Sequence, residues 1–142
     1  MTNGYKARPF GVTALSVFFL IGAVISLTAS LSLIFPNSFL RTIWRVNPRA
    51  QVGFESIGGW AIVLLFAVCV SCSVAAIGLW RGARAGHSVA VAMITINLIG
   101  DVANTILGTD SRTIVGVPIA AAILWYLLSE RVRNFFRYES PS

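Results

Sequence analysis

The sequence predicts an all-α membrane protein: a four-transmembrane-helix antiparallel bundle with a short interfacial amphipathic helix between helices 1 and 2. Three observations carry this expectation. The 142-residue chain is 56% hydrophobic and 11% charged, whereas a soluble domain carries about 25% charged residues. A domain of this length has too much surface for its volume to hide so much apolar area from water. The apolar residues fall into four runs, at residues 10–35, 57–80, 88–107 and 113–129, and roughly 20 residues suffice for a helix to cross a bilayer. The runs are joined without repeats or linkers, so residues 1–142 read as a single membrane domain.

The first run, residues 10–35, has no charge. A cleavable signal peptide has an apolar region of only about 7–15 residues, so this run reads as a membrane helix. The loop after it, "PNSFLRTIWRVNPRA", opens with the turn and N-cap residues Pro36, Asn37 and Ser38, and Pro48 limits its far end. Phe39, Leu40, Ile43 and Trp44 share one helical face, and Arg41 and Arg45 share another. A short helix at 38–46 is expected, lying in the headgroup layer with its rings in the apolar zone and its guanidinium groups among phosphates.

In the second run, Trp60 and Trp80 stand twenty residues apart, or about 30 Å along a helix, which places an indole at each interface. The third run contains Asp101. The loop "GTDSR" to the fourth run is so short that these two helices must be antiparallel neighbours. The fourth run is the shortest. Its tail, "SERVRNFFRYESPS", is expected to prolong the helix to about residue 138. Arg131, Arg133 and Arg137 would then meet anionic lipid, while Phe135 and Phe136 dip back into the interface. Pro118 falls near the start of this helix, where a missing hydrogen bond costs least.

The net charge of +6 comes from ten arginines and one lysine against five acids. In a soluble protein this balance would suggest nucleic acid; here the cations flank the apolar runs, and no nucleic-acid role is read. Lys6, Arg8, Arg81, Arg84, Arg131, Arg133 and Arg137 share one side, and Arg41, Arg45, Arg49 and Arg112 the other. The positive-inside rule puts both termini in the cytoplasm.

Asp101 is the first candidate for chemistry. In projection Asn97, Asp101 and Asn104 form one stripe. A central Asp costs roughly 3 kcal/mol on insertion scales, so the stripe must face protein or a wet cavity. At matching depth helix 1 offers Thr28 and Ser32 on one face, and Ser26 and Ser30 on roughly the opposite one. The expectation is an outward-facing polar pocket of Asn97, Asp101, Asn104, Thr28 and Ser32. Asp101 would pair there with a marginal arginine (Arg45, Arg49 or Arg112) or remain neutral. The competing reading is hydrogen-bond glue between helices.

Cys69 and Cys72 form a C-x-x-C on one helical face. The chain resembles membrane thiol oxidoreductases in helix count and in this spacing. Those enzymes relay electrons between two cysteine pairs, whereas this chain has one, set mid-span. The line Gly58, Ala61, Leu65, Cys69, Cys72 and Ala76 is mostly small, as a close helix contact requires. His87 stands alone in sequence at the edge of helix 3. No nucleophile–base set, metal cluster or nucleotide motif is present, so no enzyme activity, cofactor or metal is expected.

Gly78-Leu79-Trp80-Arg81, Asn97 with Gly100-Asp101, Trp125-Tyr126, Val132 and Phe135-Phe136 together resemble a group of small bacterial four-helix integral membrane proteins of unknown function, over residues 77–136. The resemblance implies a bacterial inner membrane and no activity. Three function classes follow. The first is an accessory or scaffolding protein acting through lipid, a membrane-protein partner or a homo-oligomer. The second is a small transporter or channel component using the Asp101 pocket, and the third a thiol redox protein on Cys69 and Cys72.

Overall fold

The computed structural model describes residues 8–108 and 113–138; Lys6 and Arg112, used above for orientation and pairing, lie outside the described residues. The elements are α1 (Phe10–Ile34), a 3-10 helix (Phe39–Arg45), α2 (Pro48–Ser56), α3 (Gly59–Arg81), α4 (Arg84–Ile106), α5 (Thr113–Leu128) and α6 (Glu130–Tyr138). Helices α1, α3 and α4 are each long and apolar enough to cross a membrane, and α5 with α6 makes a fourth if that bent pair is one span. Their outward sides carry large apolar groups such as Phe18, Ile25, Phe66 and Ile99, each more than half exposed. Continuous apolar surface on this scale suits lipid, not water.

Chain breakers set the helix ends. Helix α1 stops at the Phe35 N–H, which reaches Leu31 O at 2.9 Å, because Pro36 has no N–H to continue the ladder. Helix α3 closes on Gly82 in the left-handed conformation at φ 71°. There the Ala83 N–H donates to Gly78 O at 2.8 Å and the Gly82 N–H to Leu79 O at 3.3 Å, the paired bonds of a Schellman end. Helix α4 begins at once and doubles back along α3. The backbones of Gly78 and Gly86 touch at this reversal, leaving no room for a Cβ on either.

Hydrogen bonds fix the register. Ser16 Oγ donates to Ala76 O at 2.7 Å and Ser30 Oγ to Ile62 O at 3.5 Å, so α1 runs antiparallel to α3. Interhelical bonds of this kind average about 0.6 kcal/mol in membranes. The predicted small-residue line on α3 supplies much of this face, with Ala61, Leu65, Cys72 and Ala76 buried. Helix α5 runs antiparallel to α4, His87 meeting Leu127 and Asp101 meeting Gly116. Most buried apolar side chains gather toward the α3–α4 turn, where Leu79, Leu127, Val12 and Val132 are enclosed. A smaller cluster of Ala29, Trp44 and Leu65 lies apart from it.

Three local expectations need correction. The segment at 38–46 is a 3-10 helix, and Trp44 is only 7% exposed. Its Nε1 donates to the buried Ser32 Oγ at 2.7 Å, and its ring packs 5.9 Å from Phe54. An indole that finds both a hydroxyl and an apolar wall inside the protein gains more there than among headgroups. Helix α2 was not expected: Asn47 Oδ1 accepts from the Ala50 N–H at 3.2 Å, and Pro48 occupies the first turn. Proline therefore starts a helix here, although by position alone it reads as the end of the loop.

The third correction concerns the tail, which bends 48° between α5 and α6. Ser129 Oγ donates to Tyr126 O at 2.7 Å, a local bond that competes with helix continuation. The Ser129 carbonyl then accepts from Val132 and Arg133 and starts α6. Folding back buries Phe135 and Phe136 in the protein, at 6% and 2% exposure, and not in the lipid interface.

Candidate functional site

Asn97, Asp101 and Asn104 lie on one side of α4, and together with Gly100, Met93 and Ile96 they form one wall of a cavity of about 430 Å³. The opposite wall is α3, through Leu64, Ala67, Val68 and Ser71. A volume of this order suits a small ligand or part of a packed side-chain surface. An apolar hollow of about 500 Å³ adjoins it, sharing Leu64 and Ala67 and reaching Trp60. The two hollows therefore form a continuous lateral surface along α3 and α4, apolar near Trp60 of α3 and polar near Asp101 of α4. A Cβ on Gly100 would meet nothing within 4 Å, so this wall is open.

Asp101 is half-buried and bridges two environments. It lines the cavity on one side, and on the other its carboxylate rests against α5 at Gly116. Thr105 Oγ1 donates to the Asp101 carbonyl at 2.8 Å, and Thr95 Oγ1 to the Val91 carbonyl at 2.8 Å. Both hydroxyls are thus engaged by their own helix, the usual solution for threonine away from water. Helix α4 is the least apolar of the three long helices and also the least covered: 11% of its most apolar stretch is buried, against 28% for α1 and α3.

Thr28 and Ser32 are not among the cavity's lining residues. Thr28 Oγ1 donates to Val24 O within α1 at 2.8 Å. Ser32 Oγ donates to Ala29 O at 2.7 Å and accepts from Trp44. The physical reason is adjacency: α1 packs along α3 and the 3-10 helix, so its polar groups serve those neighbours. The polar residue of α3 on the opposite wall is Ser71, which projection of single helices could not select.

The remaining candidates sit at the two ends. Arg41, Arg45 and Arg49 are exposed at one end; Arg131, Arg133 and Arg137 are exposed on α6 at the other. Cys69 and Cys72 are free thiols, Cys69 half-buried and Cys72 buried. Cys72 Sγ lies 3.6 Å from where a Cβ on Gly22 would stand, so it fills the close α1–α3 contact. Among the described residues, no three His, Cys, Asp or Glu side chains come together as a metal site requires.

His87 is not isolated in the fold. Its Nε2 lies 2.8 Å from Leu127 O and its ring 4.8 Å from that of Phe136. Arg84 Nε and Nη2 donate to Phe136 O at 3.2 Å and Arg137 O at 2.6 Å. These contacts join residues 40 to 53 positions apart, and no local spacing in the sequence signals them. The chain matches no known family, no characterised protein and no solved structure.

Proposed function

We propose that this chain is a multi-pass protein of a bacterial inner membrane, a four-transmembrane-helix antiparallel bundle with both termini cytoplasmic. In this reading it acts as an accessory or scaffolding protein through membrane-embedded helix contacts at the α3/α4 cavity. The observation that carries the reading is the pairing of Asp101's half-buried position with the sparse cover of α4. A carboxylate left toward lipid costs roughly 3 kcal/mol on insertion scales. A docked transmembrane helix with small and polar residues would remove that cost and fill the cavity. The resemblance of residues 77–136 to small bacterial four-helix membrane proteins, and the excess of cations on the side of the termini, support the location and orientation.

The cavity's volume favours one second reading, a small transporter or channel component that uses Asn97, Asp101 and Asn104 to handle a polar solute. Photo-crosslinking separates the two. A benzophenone residue at position 97 in native membranes should give a discrete adduct with one membrane protein or a second copy of the chain. The same residue at position 18, more than half exposed on α1, should give none. Lipid adducts alone from both positions would contradict the helix-docking function.

A further inference from the structure

A second site lies at the other end of α4 from Asp101, about 20 Å away along the helix and independent of the proposed docking function. Arg84 is fixed by its two bonds to the last carbonyls of α6, and this contact carries Arg133 and Arg137 over the first turn of α4. There they line an open hollow of about 310 Å³ with Arg84, His87, Ser88 and Phe136. Among the described residues no acid lines it; Glu130, on the first turn of α6, is not part of its wall. Arg133 and Arg137 stand four residues apart, on one face of α6, with exposed side chains.

His87 is held by the Leu127 carbonyl, which can only accept, so Nε2 carries the proton and Nδ1 is the remaining polar ring atom. Trp80, with the Arg8 guanidinium 4.9 Å from its ring, marks this end as headgroup level. Three guanidinium groups and a hydroxyl around an open hollow fit a phosphate group, which guanidinium binds by paired charge-assisted bonds. From these positions we infer that the cavity between α4 and α6 binds the phosphate of an anionic phospholipid. Its depth favours a lipid over a free phosphate, because basic pockets between helices at the membrane face are suited to headgroups.

The test uses the purified full chain in zwitterionic detergent, titrated with phosphatidylglycerol, with phosphatidylcholine of the same acyl chains, and with inorganic phosphate. Bound lipid is counted by native mass spectrometry. The expected result is one phosphatidylglycerol retained in preference to phosphatidylcholine, with apparent affinity about tenfold weaker in R133Q/R137Q, the scale set by loss of two solvent-screened contacts from exposed arginines. R41Q/R45Q, with the same charge change on the exposed 3-10 helix at the opposite end, should lose only weakly held lipid and keep this one phosphatidylglycerol at unaltered affinity, and circular dichroism should show both variants folded. Equal weakening by the two double substitutions, or no preference between the lipids, would overturn the site. Displacement of phosphatidylglycerol by equimolar inorganic phosphate would overturn the lipid assignment.

Discussion

The carboxylate of Asp101 on α4 lies directly against the backbone of Gly116 on α5: a Cβ added at Gly116 would stand 2.7 Å from Oδ2 and 3.3 Å from Cγ. The Asp101 side chain is therefore seated between two helices by the lack of a side chain on the second. Gly116→Ala should push the carboxylate outward and cost about 1–3 kcal/mol, the usual range for overpacking. In the double variant D101A/G116A the clash is gone, and most of that loss should be recovered. Thermal unfolding of the four-member cycle in detergent reads the coupling directly; additive effects would show that the two groups do not touch.

Gly78 and Gly86 meet backbone to backbone at the α3–α4 reversal, and neither helix can yield without breaking the Schellman end. G78A and G86A should each destabilise by about 3 kcal/mol or more, since no flexible side chain can move aside. G22A is the control, because its Cβ would make an ordinary 3.6 Å contact with Cys72 Sγ. Its unfolding midpoint should fall little, and a similar fall in all three variants would contradict the close approach.

Trp44 contributes through both its ring and its N–H. Trp44→Phe keeps an aromatic ring but leaves Ser32 without its donor, a loss of about 0.5–1.5 kcal/mol. Trp44→Ala empties the second cluster and should cost about 3–5 kcal/mol. With Ser32→Ala as background, the Phe substitution should become nearly neutral. Thermal unfolding of these variants tests whether the indole is interior; a headgroup-facing Trp44 would show no coupling to Ser32.

Arg84 holds the end of α6 with two differently directed nitrogens, satisfying carbonyls that a helix terminus leaves free. Arg84→Lys keeps the charge but has one nitrogen for two acceptors. Both Arg84→Lys and Arg84→Gln should therefore loosen α6 and speed tryptic cleavage after Arg131 and Arg133 several-fold. Cleavage at the rate of the unaltered chain would show that α6 is held by Phe135 and Phe136 alone.

The parts legible in sequence are those set by local hydropathy and local chain breakers. Residues 10–35 and 57–80 anticipate α1 and α3 within two residues at each end, because an apolar run must be satisfied within one helix in lipid. Helix α4 begins at Arg84, four residues before the expected start at 88, since the polar turn "RAGH" is helical but invisible to hydropathy. The start of α2 was written in Asn47-Pro48 as a cap followed by a first-turn proline. The same two residues also read as the end of a loop, and only the structure decides between these.

Adjacency is what the sequence leaves out. Asn97, Asp101 and Asn104 share a face by helical spacing alone, but the neighbour of that face depends on which helices pack together. Depth made Thr28 and Ser32 plausible partners, whereas the packing of α1 on α3 turned them elsewhere. His87 looked solitary for the same reason: Leu127 reaches it from the end of α5 and Phe136 from α6, the latter through a bend at Ser129 that composition does not announce.

The central claim is that the Asp101 face of α4 is a helix-docking surface. The most direct measurement compares D101A with the unaltered chain in two settings: heat stability of the purified protein in lipid nanodiscs, and migration of digitonin-solubilised native membranes on blue-native gels. Removing a half-buried carboxylate, worth roughly 3 kcal/mol against insertion, should leave the isolated chain at least as stable. It should also abolish a higher-mass complex that the unaltered chain forms. A complex that survives D101A, or an isolated D101A chain that unfolds at lower temperature, would contradict the claim and make Asp101 a structural residue of the bundle.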